Sequence, residues 1–113
     1  MSNGYVEFLV DQLAARDVSA RRMFGGAGLF RDGLMFALVA DDELYLKVDD
    51  SSRPAFEALG LTPFRYRRKG RPIALKSYYR APEGLVDDPD ELVRWADAAW
   101  EAALRAGQRG DPA

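Results

Sequence analysis

Apolar and polar positions follow two different periods along the chain, and each change of period marks a change of element. Val6, Leu9, Val10 and Leu13 recur at the i, i+3, i+4, i+7 spacing of a helix with one buried face, with Ser2 or Asn3 placed to cap it. This helix is predicted to end near Arg16. Residues 18–24 then read as extended chain entering a strand that Gly25, Gly26 and Gly28 are able to break. Asp32-Gly33, set between Leu29-Phe30 and Leu34-Met35-Phe36, is a hairpin turn signal, because both turn positions take positive φ at low cost. The uncharged run 34–40 predicts a strand buried on both faces or nearly so. Asp41-Asp42 turns the chain. In 43–48 strict alternation points Leu44, Leu46 and Val48 inward and Glu43, Tyr45 and Lys47 outward.

Asp49-Asp50-Ser51-Ser52 supplies side-chain acceptors at a helix start, and that short helix reaches Leu59 with Gly60 as its terminator. Residues 64–68 and 73–79 form two strands joined across Lys69-Gly70-Arg71-Pro72, a hairpin of irregular register because Pro72 cannot donate to a ladder, and the pair is expected at or near a sheet edge. Residues 81–87 are loop. Asp88-Pro89-Asp90-Glu91 opens the last helix with a cap, a first-turn proline and early acids. Its apolar side is Leu92, Trp95, Ala96, Ala99, Trp100, Ala103 and Leu104, and one of the two tryptophans is expected to anchor it to the sheet. The predicted order is α-β(3)-α-β(2)-α, with the first strand divisible at its glycines. The fold class is α+β: two layers, an antiparallel sheet with the helices on one face. The expected domain is 1–113, with a core from about 5 to 104 and a frayed tail at 108–113.

Composition narrows the chemistry more than the fold. The 113 residues contain no cysteine, which removes disulfides and thiolate ligands, and no histidine, which removes the usual general base and transition-metal ligand. An enzyme is therefore not expected, and neither a cofactor nor a metal is. The glycines at 25, 26 and 28 are not followed by a helix pattern, so they predict a bulge or a close backbone approach rather than a phosphate cradle. The acidic pairs at 41–42, 49–50 and 87–88 stand where turns and caps need them. No apolar run is long enough to span a membrane, and a cytoplasmic setting is expected.

The sharpest charge feature is 65–80, which holds Arg65, Arg67, Arg68, Lys69, Arg71, Lys76 and Arg80 without an acidic residue. That stretch carries +7 in a chain of net charge −2, so the remainder carries −9. With Tyr78 these cations form the candidate interaction surface: Arg65, Arg67, Arg68, Lys69, Arg71, Lys76, Tyr78 and Arg80. A plain solvated hairpin would use the same cations to blunt a sheet edge. An acidic protein partner would meet them directly. Interleaved tyrosines would also suit an accessory nucleic-acid-binding module. The outward side of the sheet, with Tyr45 and Lys47, further predicts a homodimer that covers it through an edge strand or the last helix.

Several stretches recur together: 22–39, Asp42-Glu43-Leu44-Tyr45-Leu46-Lys47, Pro63-Phe64, Arg68-Lys69-Gly70-Arg71-Pro72 and Ser77-Tyr78-Tyr79-Arg80-Ala81-Pro82. In this order they resemble the TfoX N-terminal domain family, the first domain of the TfoX/Sxy competence regulators, from about Tyr5 to about Leu104. The resemblance implies a fold sharing its outline with secretion-chaperone-like domains, and a regulatory or adaptor role through protein contacts rather than catalysis. It brings no catalytic residues with it. The chain resembles a stand-alone form lacking the C-terminal domain of two-domain relatives.

Overall fold

In the computed structural model, which describes residues 3–23 and 25–108, helix α1 (Asn3–Gln12) and a 3₁₀ turn (Ala14–Arg16) precede strands β1 (Ser19–Met23), β2 (Gly26–Arg31), β3 (Leu34–Ala40) and β4 (Glu43–Lys47). Helix α2 (Arg53–Ala58), strands β5 (Pro63–Arg68) and β6 (Arg71–Arg80), a second 3₁₀ turn (Leu85–Asp87) and helix α3 (Pro89–Gln108) follow. The expected order is met, with the first predicted strand divided at its glycines into β1 and β2. All six strands join one antiparallel sheet in the order β1-β2-β3-β4-β6-β5.

The glycines act on the backbone in two ways. Gly25 turns the chain with φ 72°, a conformation that costs an L side chain energy. Gly26 has no such torsion, but a Cβ there would stand 2.1 Å from the carbonyl oxygen of Val39 in β3. Strands β2 and β3 come this close only because that position has no side chain. The bulge expected among the glycines sits slightly later, where the β2–β3 register shifts between Leu29 and Phe30.

Between the sheet and the helices lies a core of Leu9 from α1 and Leu13 just after it, Leu29, Ala37, Val39, Leu44, Leu46 and Tyr79 from the sheet, Phe56 from α2, and Leu92, Ala96, Ala99 and Ala103 from α3. Leu44, Leu46 and Val48 point inward as alternation predicts, and Phe36 to Val39 are all buried. The last turns of α3 depart from the expected stripe: Ala102 and Ala106 are buried, whereas Leu104 is exposed. Trp100 donates its indole N–H to the Arg31 carbonyl at 3.2 Å, while Trp95 meets Phe56 edge to face at 5.2 Å. Both indoles are half-buried, so both serve as anchors, one to the sheet and one to α2.

The caps follow the acidic pairs. Asp88 accepts the Glu91 N–H at 3.2 Å at the start of α3. Asp49, rather than its neighbours, organises the start of α2: its carboxylate accepts the N–H and hydroxyl groups of Ser51 and Ser52 and the Arg105 guanidinium from α3. Gly60, at φ 76°, ends α2 with Leu61 N–H bonded to Phe56 O and Gly60 N–H to Glu57 O, the paired bonds of a left-handed C-cap. Asp41 and Asp42 both hold positive φ in the β3–β4 turn. The expected cap side chains of α1, Ser2 and Asn3, lie outside what the structure describes.

One expectation is corrected on the sheet's other face. Lys47, read as outward, is 3 % exposed, with its ammonium 5.3 Å from the Tyr78 ring. Leu38 is also buried on that side, and Tyr45 is half-buried against Phe64 at 5.2 Å. The physical reason is coiling: Met23 of edge strand β1 and Phe64 of edge strand β5 line one small cavity of about 10 Å³ with Leu38 and Ala40. A sheet twisted that far covers part of its own concave face.

Two outcomes follow for stability. Gly26→Ala is expected to cost roughly 2 kcal/mol or more, because backbone must yield to the new methyl, whereas Gly28→Ala meets side-chain ends, the Met35 and Met23 sulfurs at 2.7 and 2.9 Å and a Phe30 ring carbon at 3.0 Å, and costs less. Chemical denaturation of both variants checks the ranking. The Arg105 hydrogen bond, followed by those from Ser51 and Ser52, holds the Asp49 carboxyl well below the usual range; Arg16 does the same for Asp97. A depressed carboxylate stabilises the fold above its unfolded value near 4 and loses that contribution as pH falls through its folded value. Asp49→Asn should therefore cost about 2 kcal/mol at neutral pH, and the gap to the parent should narrow in melts taken progressively below about pH 4.

Candidate nucleic-acid or protein interface: the basic arm

The β5–β6 hairpin is a two-stranded arm, for a reason visible in its pairing. Strand β6 meets β4 only at Tyr78, Tyr79 and Arg80, with Val48 N–H to Ser77 O at 2.9 Å extending the join by one step. Beyond that point β6 has β5 alone for a neighbour. At the base the register jumps: Pro63 faces Tyr79, yet the next residue, Phe64, faces Leu75. Lys76, Ser77 and Tyr78 fill the difference, and Arg53 of α2 donates to the Lys76 carbonyl at 3.1 Å, bracing the irregular segment. At the tip Lys69 and Gly70 hold φ 53° and 77°, a tight two-residue turn. Arg67 donates to the Gly70 carbonyl at 2.8 Å and stiffens it.

This turn sets the register. Arg68 lies opposite Arg71, Tyr66 opposite Ile73 and Phe64 opposite Leu75; on the other face Arg65 lies opposite Ala74 and Arg67 opposite Pro72. One face is therefore aromatic and aliphatic with arginines at its tip. The other presents Arg65 and Arg67 over small residues. Tyr66 is 40 % exposed and stacks on Phe64 at 6.1 Å.

Of the eight residues expected to form a contact surface, Arg65, Arg67, Arg68, Lys69, Arg71 and Lys76 are brought together on the arm, all exposed. Arg80 is exposed but bound to Glu43 at 2.8 Å, and so belongs to the body of the sheet. Tyr78 is corrected: it is fully buried, its hydroxyl donates to the Met35 carbonyl at 3.4 Å, and burial pushes its acidity far toward the neutral form. It lies where β6 is covered on both sides, and no partner reaches it. Sequence reasoning left out of this set the exposed Tyr66 and, opposite it, the half-buried Ile73. Counting outward from the Lys69-Gly70 turn would have paired them.

Charge separates the arm from the body. Among the described residues, Arg16 and Arg31 both bind Asp97, at 2.9 and 3.1 Å, and Arg53, Arg80, Arg94 and Arg105 each reach a carboxylate. Arg31 also lies over the Trp100 ring at 3.9 Å. Among those residues none of the six arm cations lies within salt-bridge distance of an acid. Arg68 and Arg71 even face each other directly, an arrangement that repels.

Two grooves lie outside the arm. One of about 380 Å³ lies between α2 and α3, lined by Phe56, Trp95, Ala55 and Ala98 with Glu91 and Arg94. The other, about 450 Å³, is lined by Arg16, Arg31, Asp97, Trp100 and Glu101. In the second the arginines are already bound to Asp97, and the first has few polar groups to orient a ligand. Among the described residues no three acids converge as a metal site, and no helix is long and apolar enough to cross a membrane.

Comparison with known proteins decides the family. The model of the TfoX N-terminal domain matches residues 10–103. The chain belongs to the TfoX N-terminal domain family. It is 36 % identical over 81 residues to DNA transformation protein TfoX1 of Aliivibrio fischeri, covering 72 % of this chain and 38 % of that protein. It is 33 % identical over 88 residues to Protein Sxy of Escherichia coli, covering 78 % of this chain and 42 % of Sxy. The chain thus spans about two-fifths of the length of these curated relatives, and the family match over residues 10–103 takes in the whole arm.

The arm's exposure has a measurable consequence. Arg68→Glu places an acid opposite Arg71 and should leave the melting temperature unchanged or slightly raised, since a favourable cross-strand charge pair contributes about 0.2–1 kcal/mol. Arg105→Glu, aimed at the buried Asp49 carboxylate, should lower it by many degrees. Thermal melts of the two variants side by side test the division between arm and body.

Proposed function

We propose that this domain is a non-catalytic regulatory or adaptor module of the cytoplasm that docks onto an acidic surface of a partner protein through the β5–β6 arm. One observation carries the reading: among the described residues the six arm cations lie together with no salt-bridge partner, whereas Arg16, Arg31, Arg53, Arg80, Arg94 and Arg105 of the body each bind a carboxylate and Arg21 of β1 lies over the Phe30 ring at 4.8 Å. Nothing in the fold needs Arg68 opposite Arg71, and an acidic partner would relieve that repulsion. Kinship with a DNA transformation protein makes control of DNA uptake the first setting in which to look for the partner. A homodimer in this fold would have to form away from the strand edges, since β1 carries exposed Arg21 and Arg22 and β5 carries Arg65, Arg67 and Arg68. Symmetric edge pairing would bring like charges together.

The test is capture from native cytoplasm with immobilised protein, read for both proteins and nucleic acid. The parent should retain a protein partner after nuclease treatment, with retention falling as salt screens the contact. Arg65→Glu/Arg67→Glu/Arg68→Glu should lose it while melting normally. Undiminished capture by the triple variant would refute the arm as the docking surface. Retention of nucleic acid in its place, with an affinity dropping steeply between low and moderate salt, would transfer the arm to nucleic-acid binding.

A further inference from the structure

Strand β5 is the last in the sheet, and among the described residues no strand pairs its outer side. Four consecutive residues there, Arg65, Tyr66, Arg67 and Arg68, are exposed. Free strand edges are templates for another strand, and proteins protect them with charge. Here the protection is of one sign. A cationic edge repels a second cationic edge, including that of another copy, but has no defence against an acidic segment. We infer that the outer edge of β5 accepts an extended acidic segment of the partner protein as a seventh strand, a mode of docking that rests on the arm reading proposed above.

The register gives the segment a pattern. Side chains on an added strand alternate between the two faces with a period of two, as those of β5 do. On one face the neighbours are Arg65 and Arg67, two residues apart, which call for acidic side chains at alternate positions. On the other face the neighbour is Tyr66, backed by Ile73 and Phe64, which calls for apolar side chains between those acids. The preferred ligand is therefore an alternating acidic and apolar stretch. Main-chain hydrogen bonds would supply affinity and the two faces would supply selectivity. Because the arm is anchored to the sheet mainly through 77–80, an added strand would also order the half of the hairpin that projects beyond β4.

A synthetic peptide of alternating glutamate and valine, titrated into the intact protein with amide hydrogen exchange followed by NMR, tests this. Binding should slow exchange at alternate amides of 65–68. A peptide with a central proline, which removes an N–H and breaks the strand, should bind at least tenfold more weakly, as should the lysine and valine counterpart. Arg65→Glu/Arg67→Glu should weaken the parent peptide at least tenfold. Absence of peptide binding, binding without slowed exchange in 65–68, or equal binding of the proline peptide would each overturn strand addition. If the charge-reversed arm still loses its cytoplasmic partner under any of those results, the arm remains the docking surface and only the mode is wrong; if it does not, the arm reading itself has failed.

Discussion

The short join between β4 and β6 is the constraint on which the rest of this molecule turns. Tyr78, Tyr79 and Arg80 face Lys47, Leu46 and Tyr45, and past them β6 leaves the sheet with only β5 beside it. Tyr79 contributes its ring to the core and donates its hydroxyl to Glu57 of α2 at 2.9 Å, so the join is also held from the helical layer. An isolated two-stranded hairpin is at best marginally stable in water. This one has a rigid root, a braced irregular segment and a tight turn, which together let it project.

The body is held by arrangements that cross between layers. Asp97 of α3 draws in Arg16 from the 3₁₀ turn after α1 and Arg31 from β2, and Asp49 fastens the start of α2 to the end of α3 through Arg105. These contacts occupy Arg16, Arg31 and Arg105 of the body, and the buried Asp49 accepts several donors, as a carboxylate removed from water must. The arm has no such economy. Its charge is left to solvent or to a partner, and this contrast, more than the total of positive residues, distinguishes it from an ordinary soluble surface.

The concave side of the sheet shows how coiling changes the meaning of an alternating pattern. Alternation correctly sorted 43–48 into two faces, with Leu44, Leu46 and Val48 in the core beneath the helices. The second face was expected to be wet, yet Lys47, Leu38 and Tyr78 are buried there, because both edges of the sheet curl toward each other. A lysine stem packs readily against apolar neighbours, and its ammonium lies near a tyrosine ring. The amphipathic face that suggested a dimer is in large part covered by the protein itself.

Local physics is legible in the sequence, and it determined most of the fold. The Asp32-Gly33 turn, the cap at Asp88, the side-chain acceptor at Asp49 before α2, the terminator at Gly60 and the helical stripes of α1 and of the first turns of α3 all arise from interactions within a few residues, and each stands where pattern and turn chemistry put it. The hairpin register is a correction: the sequence pointed to a connection over 69–72 with an irregular register at Pro72, whereas Lys69-Gly70 alone makes the turn, Pro72 pairs regularly with Arg67, and the register shifts at the base between Pro63 and Phe64. Three matters were decided only by tertiary structure. Which arginines find an acid depends on residues as far apart as 16 and 97 or 49 and 105, separations at which sequence carries no signal. Whether the second face of the sheet is wet depends on the accumulated twist of six strands. Where β6 parts from β4, and so where the body stops and the arm begins, depends on how far the shorter strand runs, which no residue of the hairpin specifies.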